Sequence, residues 1–217
     1  MLPASPAAGV KGPAVRREPR GRAVTDTHVK ALLAAATERG RQEEAIVCLL
    51  LRNGLRVSEL CRAEVEDLRR EPGGGHSLIV RGKGVKEVTV ALNARTERAV
   101  LAAVGVRPSG PLFRRQDHRR TRHGASAPWQ PFNRQAVGRL VIELGKQAGL
   151  LGAGDDQLDG LYPHRLRHTF VTMLLDRGVP LPQTQDAARH ASADTTRLYD
   201  RARAGFREHP THRLTFD

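Results

Sequence analysis

The sequence predicts a mainly α-helical fold with one small antiparallel β-sheet, an α+β domain. Three observations predict it. Apolar residues recur at helical spacing along most of the chain, β-branched residues alternate or run continuously in two short stretches between His76 and Leu92, and Gly- or Pro-rich breaks separate these stretches. The 217 residues, 39% hydrophobic and 27% charged, are enough to bury a core.

Residues 1–23 are rich in Pro, Gly, Ala and Arg without periodicity and read as a basic, disordered arm. Order begins near Val24. Thr25 or Asp26 can cap a first helix that carries Val29, Leu32 and Leu33 on one face. A second helix runs from about Gln42 to Asn53, and Asn53-Gly54 is its left-handed stop. A third is expected to carry Val57, Leu60, Cys61, Val65 and Leu68. After the break at Glu71-Pro-Gly-Gly-Gly come two strands, His76–Arg81 and Val85–Leu92, joined by a tight Gly82-Lys83-Gly84 turn.

Helix returns over Ala94–Val104. The basic, aperiodic stretch from Arg114 to Pro131 reads as an exposed loop. Further helices are expected over Arg134–Ala148, from Pro163 to Asp176 with Pro in the tolerated first turn, over Leu181–Arg189, and after Asp194.

The formal net charge of +13 points to a polyanion partner, with nucleic acid first. Aromatic residues make up only 4%, which favours binding of duplex backbone over base stacking on single strands. Cys48 and Cys61 lack metal-ligand spacing and read as reduced thiols of a cytoplasmic protein. No apolar run reaches the ~18 residues of a membrane span, and the N-terminus lacks the apolar centre of a secretory signal.

Four local features bear on chemistry. Gly54-Leu55-Arg56-Val57-Ser58-Glu59-Leu60 sets Arg56 at a joint between apolar helices; alone, an ion-paired or snorkelling arginine explains it. Lys83, between glycines at a hairpin tip, can swing toward a ligand or simply be solvated. In Pro163-His164-Arg165-Leu166-Arg167-His168-Thr169, His164 and Arg167 stand three apart and share a helix face near its N-terminus, a ready phosphate site. The His164/His168 spacing lacks the intervening Glu and third ligand of a zinc site, so no metal is expected. Finally, His190 precedes Tyr199 in a polar, basic stretch; alone, Tyr199 reads as a half-buried amphipathic residue.

In order and spacing these segments resemble the tyrosine recombinase (phage integrase) family, from about Val24 to the C-terminus. The family pattern is an arginine in a GLRxSEL-like segment, a hairpin lysine, an HxLRHT-like box, then a histidine and a tyrosine. Arg56, Lys83, His164, Arg167, His190 and Tyr199 match it. The residue before His190, often glycine in the family, is Arg189 here. The resemblance implies a catalytic domain over residues 24–217, without the helical N-terminal DNA-binding domain that most members carry.

It also implies a site-specific recombinase that needs no metal or other cofactor. Tyr199 would form a 3′-phosphotyrosyl bond to duplex DNA, Arg56 and Arg167 would grip the phosphate, and His164 would accept the tyrosine proton. Lys83 would protonate the leaving 5′-oxygen, and His190 would hydrogen-bond the phosphate. Family members work as tetramers on two DNA sites, so a homotetramer with an exchanged tail (201–217), accessory DNA-bending or directionality proteins, and a cytoplasmic, nucleoid-associated location are expected. The competing readings are a non-catalytic, regulatory DNA-binding derivative, a type IB topoisomerase-like relaxing activity, and a basic structural scaffold.

Overall fold

The computed structural model describes residues 24–82, 87–116, 129–152, 154 and 156–189. The expected arm (1–23), the hairpin tip with Lys83, the centre of the basic loop, and everything from His190 onward lie outside the described residues. His190, Tyr199, the helix after Asp194 and the tail therefore do too.

Helix α1 (Asp26–Arg39) starts where the sequence places it. The Thr25 side chain accepts from the His28 amide, and the His28 ring accepts from the Thr25 amide, closing a capping box. Helix α2 (Arg41–Arg52) is the axis of the domain. Its residues from Ala45 to Leu51 are all buried, so it is apolar on every side and must be surrounded. Helices α1, α4 (Ala94–Val104) and α6 (Pro163–Asp176) pack against it, and α5 (Arg134–Gln147) lies against α1 and α6.

Strands β1 (Leu68–Arg70), β2 (His76–Arg81) and β3 (Glu87–Ala91) form an antiparallel sheet in that order. Leu78 stands opposite both Leu68 and Val90, and the buried Leu78, Val80 and Val90 join the core. Asn53 Nδ2 donates to the Ala91 carbonyl at 2.7 Å, which ties the end of α2 to this sheet.

Two expectations are corrected. The third helix, α3 (Val57–Leu60), is a single turn and does not reach Leu68. Beyond it the chain finds other partners. The Ala63 carbonyl accepts from the Leu112 amide (2.8 Å), and the Val65 amide donates to the Gly110 carbonyl (2.9 Å). A 3₁₀ turn at Val65–Asp67 then leads into β1, a strand that the helical spacing concealed. The ends of the expected Arg114–Pro131 loop pair as a ribbon, β4 (Arg114–Gln116) with β5 (Trp129–Pro131). The Arg114 guanidinium stacks 4.8 Å over the Trp129 ring there.

The α+β class stands. No described helix is long and apolar enough to cross a membrane. Helix α7 (Leu181–Ala188) closes the described chain and leads into Arg189.

Candidate active site

The site is built where the end of α2 meets the N-terminal half of α6 and the end of α7. Gly54 makes this joint possible. Its φ of +57° is left-handed, and a Cβ there would sit 2.3 Å from the Phe170 ring, so the chain can only pass α6 as glycine. Passing so close points the Gly54 carbonyl at Arg167. That side chain is buried, and its Nη1 donates to the Gly54 carbonyl while its Nη2 donates to the Ala188 carbonyl. One planar fork thus joins the α2 stop to the end of α7.

Arg56 is held in the same way from the other side. Its Nη1 donates to Glu59 Oε1 (2.8 Å) and its Nη2 to the Arg189 carbonyl (2.8 Å). Glu59 Oε2 also accepts from the Arg56 amide at 2.8 Å, which caps the single turn of α3. The side chain of Arg56 is still 42% exposed, whereas Glu59 is buried at 4%. Arg56 is therefore ion-paired, as its isolated reading expected, and yet open to an incoming anion. Two of the five N–H donors on its guanidinium serve these bonds.

Arg189 completes the network. It is the one non-glycine among the described residues with positive φ (54°), a conformation costing about 1–2 kcal/mol outside glycine. Its Nη2 donates to Glu59 Oε2 (3.0 Å) and to the Gly54 carbonyl (2.9 Å), and its Nη1 reaches the Asn53 carbonyl at 3.4 Å. Burial pushes the Glu59 carboxyl up, but Arg189, then the Arg56 amide and guanidinium, outweigh it and hold the group below the ordinary carboxylate range. Burial also pulls Arg189 down, against the pull of Glu59. Glu59 is thus a carboxylate at neutral pH.

His164 stands exposed at the start of α6, on the face it shares with Arg167. Desolvation, then the charges of Arg167 and Arg56, lower its pKa from the ordinary value. At neutral pH its ring is uncharged and has a lone pair to accept a proton. The other two ionisable members of the box, Arg165 and His168, make different contacts. Arg165 pairs with Asp159 at 2.6 Å. The His168 ring meets the His164 ring edge-on, with centroids 5.8 Å apart, and is pushed down to about 4 by burial, His164 and Arg165. Among the described residues, no cluster of His, Cys, Asp and Glu could hold a metal ion.

Of the six sequence-derived candidates, Arg56, His164 and Arg167 come together. Lys83, His190 and Tyr199 lie outside the described residues. Sequence reading missed Glu59 and Arg189. Glu59 carried a signal, standing three residues after Arg56 on one helical turn; the inward turn of Arg189 had none.

The model of the phage integrase family matches residues 22–205. The chain belongs to that family. Among curated relatives, tyrosine recombinase XerA of Pyrococcus furiosus is 31% identical over 184 residues, covering 84% of this chain and 58% of the relative. Tyrosine recombinase XerD of Caulobacter vibrioides is 34% identical, covering 79% and 54%. The chain thus spans little more than half the length of these relatives.

Solved structures share the fold. The crystal structure of XerA recombinase gives a TM-score of 0.65 at 24% identity, covering 90% of this chain and 66% of the other. The integrase of mycobacterium phage Brujita gives 0.59 at 28%, covering 87% and 57%. A structure of XerH site-specific recombinase bound to its difH substrate gives 0.61 at 22%, covering 82% and 49%.

Proposed function

We propose that this integrase-family chain is a site-specific recombinase that cuts and rejoins duplex DNA through Tyr199, with residues 24–217 as its catalytic domain. One observation carries the reading: Arg56 and Arg167, from different elements, are fixed by the carbonyls of Gly54, Ala188 and Arg189 close enough to His164 for both charges to lower its pKa. Two fixed guanidiniums match the non-bridging oxygens of a phosphodiester, where negative charge concentrates in the transition state.

The Tyr199 hydroxyl oxygen would attack phosphorus in line as the bond to the 5′-oxygen breaks. This leaves a 3′-phosphotyrosyl ester and a free 5′-hydroxyl. His164 would take the phenol proton, and Lys83 would give one to the departing 5′-oxygen. His190 would hydrogen-bond the phosphate. Attack by another strand's 5′-hydroxyl reverses the step and conserves the ester energy, so no nucleotide is consumed. Support for DNA as partner comes from the +13 net charge and from the relative bound to its difH substrate. We propose further, on the family resemblance, that four copies act on two DNA sites with DNA-bending or directionality proteins, in the cytoplasm at the nucleoid.

The test is a nicked suicide duplex library incubated with the chain and then denatured in SDS. A covalent adduct that disappears with Tyr199→Phe is the expected result. Salt-sensitive duplex binding without any adduct would instead establish the non-catalytic, regulatory reading.

A further inference from the structure

We propose that Arg189 is a positioning residue of this site, which clamps Glu59 from behind so that Arg56 keeps its charge for the scissile phosphate. The inference rests on the recombinase reading above.

The backbone at Arg189 is one that glycine takes freely and an arginine takes at a cost. A side chain that merely followed the turn would extend into solvent as a DNA-facing cation. This one folds inward instead: it is 8% exposed and spans Glu59 and the carbonyls of Asn53 and Gly54. It therefore does not serve as a surface contact for DNA backbone. Its Nε is buried without a hydrogen-bond partner among the described residues, so the inward pose is set by the two Nη groups.

The consequence for Arg56 follows from charge. With Arg189 in place, two guanidiniums share the Glu59 carboxylate, Arg56 through Oε1 and Arg189 through Oε2. Without Arg189, the whole carboxylate charge falls on Arg56, which would be held as a neutral pair and offer less to a phosphate. Arg189 touches neither the phosphate nor the reacting atoms in this account. It acts through Glu59 on one side and, through its own carbonyl, on Arg56 Nη2 on the other. The Asn53–Gly54 joint receives the same guanidinium, so the acceptor that orients Arg167 is held by the same clamp.

The experiment measures single-turnover adduct formation on the suicide duplex at varied DNA concentration. It uses the full chain as wild type, Arg189→Gly, Arg189→Lys, Arg189→Met, and Arg189→Gly combined with Glu59→Gln. A thermal melt reports the folded fraction of each. Arg189→Gly is expected to slow cleavage at saturating DNA about tenfold per folded molecule, with half-saturation little changed. Arg189→Lys should recover part of the rate, and Glu59→Gln should restore part of it in the glycine background by removing the uncompensated charge.

Wild-type cleavage by Arg189→Gly overturns the clamp and leaves the recombinase reading standing. So does a loss matched by the loss of folded protein, with no rescue from Glu59→Gln. If Arg189→Gly does not fold, Arg189→Met, which keeps the stem and loses the charge, decides: wild-type rate or a loss equal to its unfolded fraction overturns the clamp, and a loss per folded molecule beyond that sustains it. No Tyr199-dependent adduct from the wild type overturns both readings together.

Discussion

Arg165 and Arg167 lie two residues apart on the same helix, and the fold treats them oppositely. Arg165 turns to a partner of opposite sign, Asp159, whose side chain is 63% exposed, as well as to the neighbouring Gly160 carbonyl. The pair anchors α6 to the loop before it. Arg167 turns to two backbone carbonyls contributed by segments far away in sequence. A carboxylate cancels a guanidinium, whereas a carbonyl orients it without cancelling its charge. The two histidines touch each other between these sides: His164 senses Arg167 and Arg56, and His168 senses His164 and Arg165. The side of α6 that carries Arg165 thus ties the helix to the loop before it, and the side that carries Arg167 ties it to the α2 stop and the end of α7.

The sharpest way to break this contrast is Arg167→Lys. A lysine cannot span the Gly54 and Ala188 carbonyls with a planar fork. Adduct formation per folded molecule should fall about 10²- to 10³-fold, as for loss of one transition-state donor. A rate within a few-fold of wild type would mean that only the charge matters, not its geometry.

An intermediate effect is expected from pH. His168 has a folded-state value near 4, below the ~6.5 of an unfolded histidine. Between those values the unfolded chain holds the extra proton. The stabilisation is therefore complete above about pH 6.5 and is lost as pH falls toward 4. Allowing for the partial exposure of the ring, this amounts to about 1–2 kcal/mol. Chemical denaturation across that range should show the loss, and His168→Gln should flatten it. The smallest effect should come from Arg165→Met. The Asp159 side chain is 63% exposed, so the ion pair is screened by water, and the methionine fills the arginine stem's place, so stability should change by about 1 kcal/mol. Cleavage per folded molecule should not change; a fall like that of Arg167→Lys would erase the distinction between the two sides.

That His164 and Arg167 share a face of α6 was legible from spacing alone, because a helix fixes which residues stand together once its period is recognised. The α2 stop at Asn53-Gly54 was legible for a similar reason, since few residues take a left-handed turn cheaply. What stayed hidden was decided by partners distant in sequence. Strand β1 depends on pairing with β2, and the end of α3 depends on backbone bonds from residues 63 and 65 to 112 and 110. Arg189 was visible only as a departure from the family's usual glycine. That it turns back toward Glu59, 130 positions earlier, is a fact of tertiary packing.

Anchoring arginines on main-chain oxygens also bears on which changes this lineage can accumulate. A carbonyl is present whatever side chain follows it, so the exposed positions of α7 (Pro182, Gln183, Asp186 and Ala187) can drift without disturbing the grip. Deleting a single residue from the turn before α7 is another matter. It would slide the helix by ~1.5 Å and rotate it by ~100°, carrying the oxygens of Ala188 and Arg189 away from both guanidiniums at once. Descent should therefore police the spacing between α6 and α7 more strictly than the spelling of α7 itself.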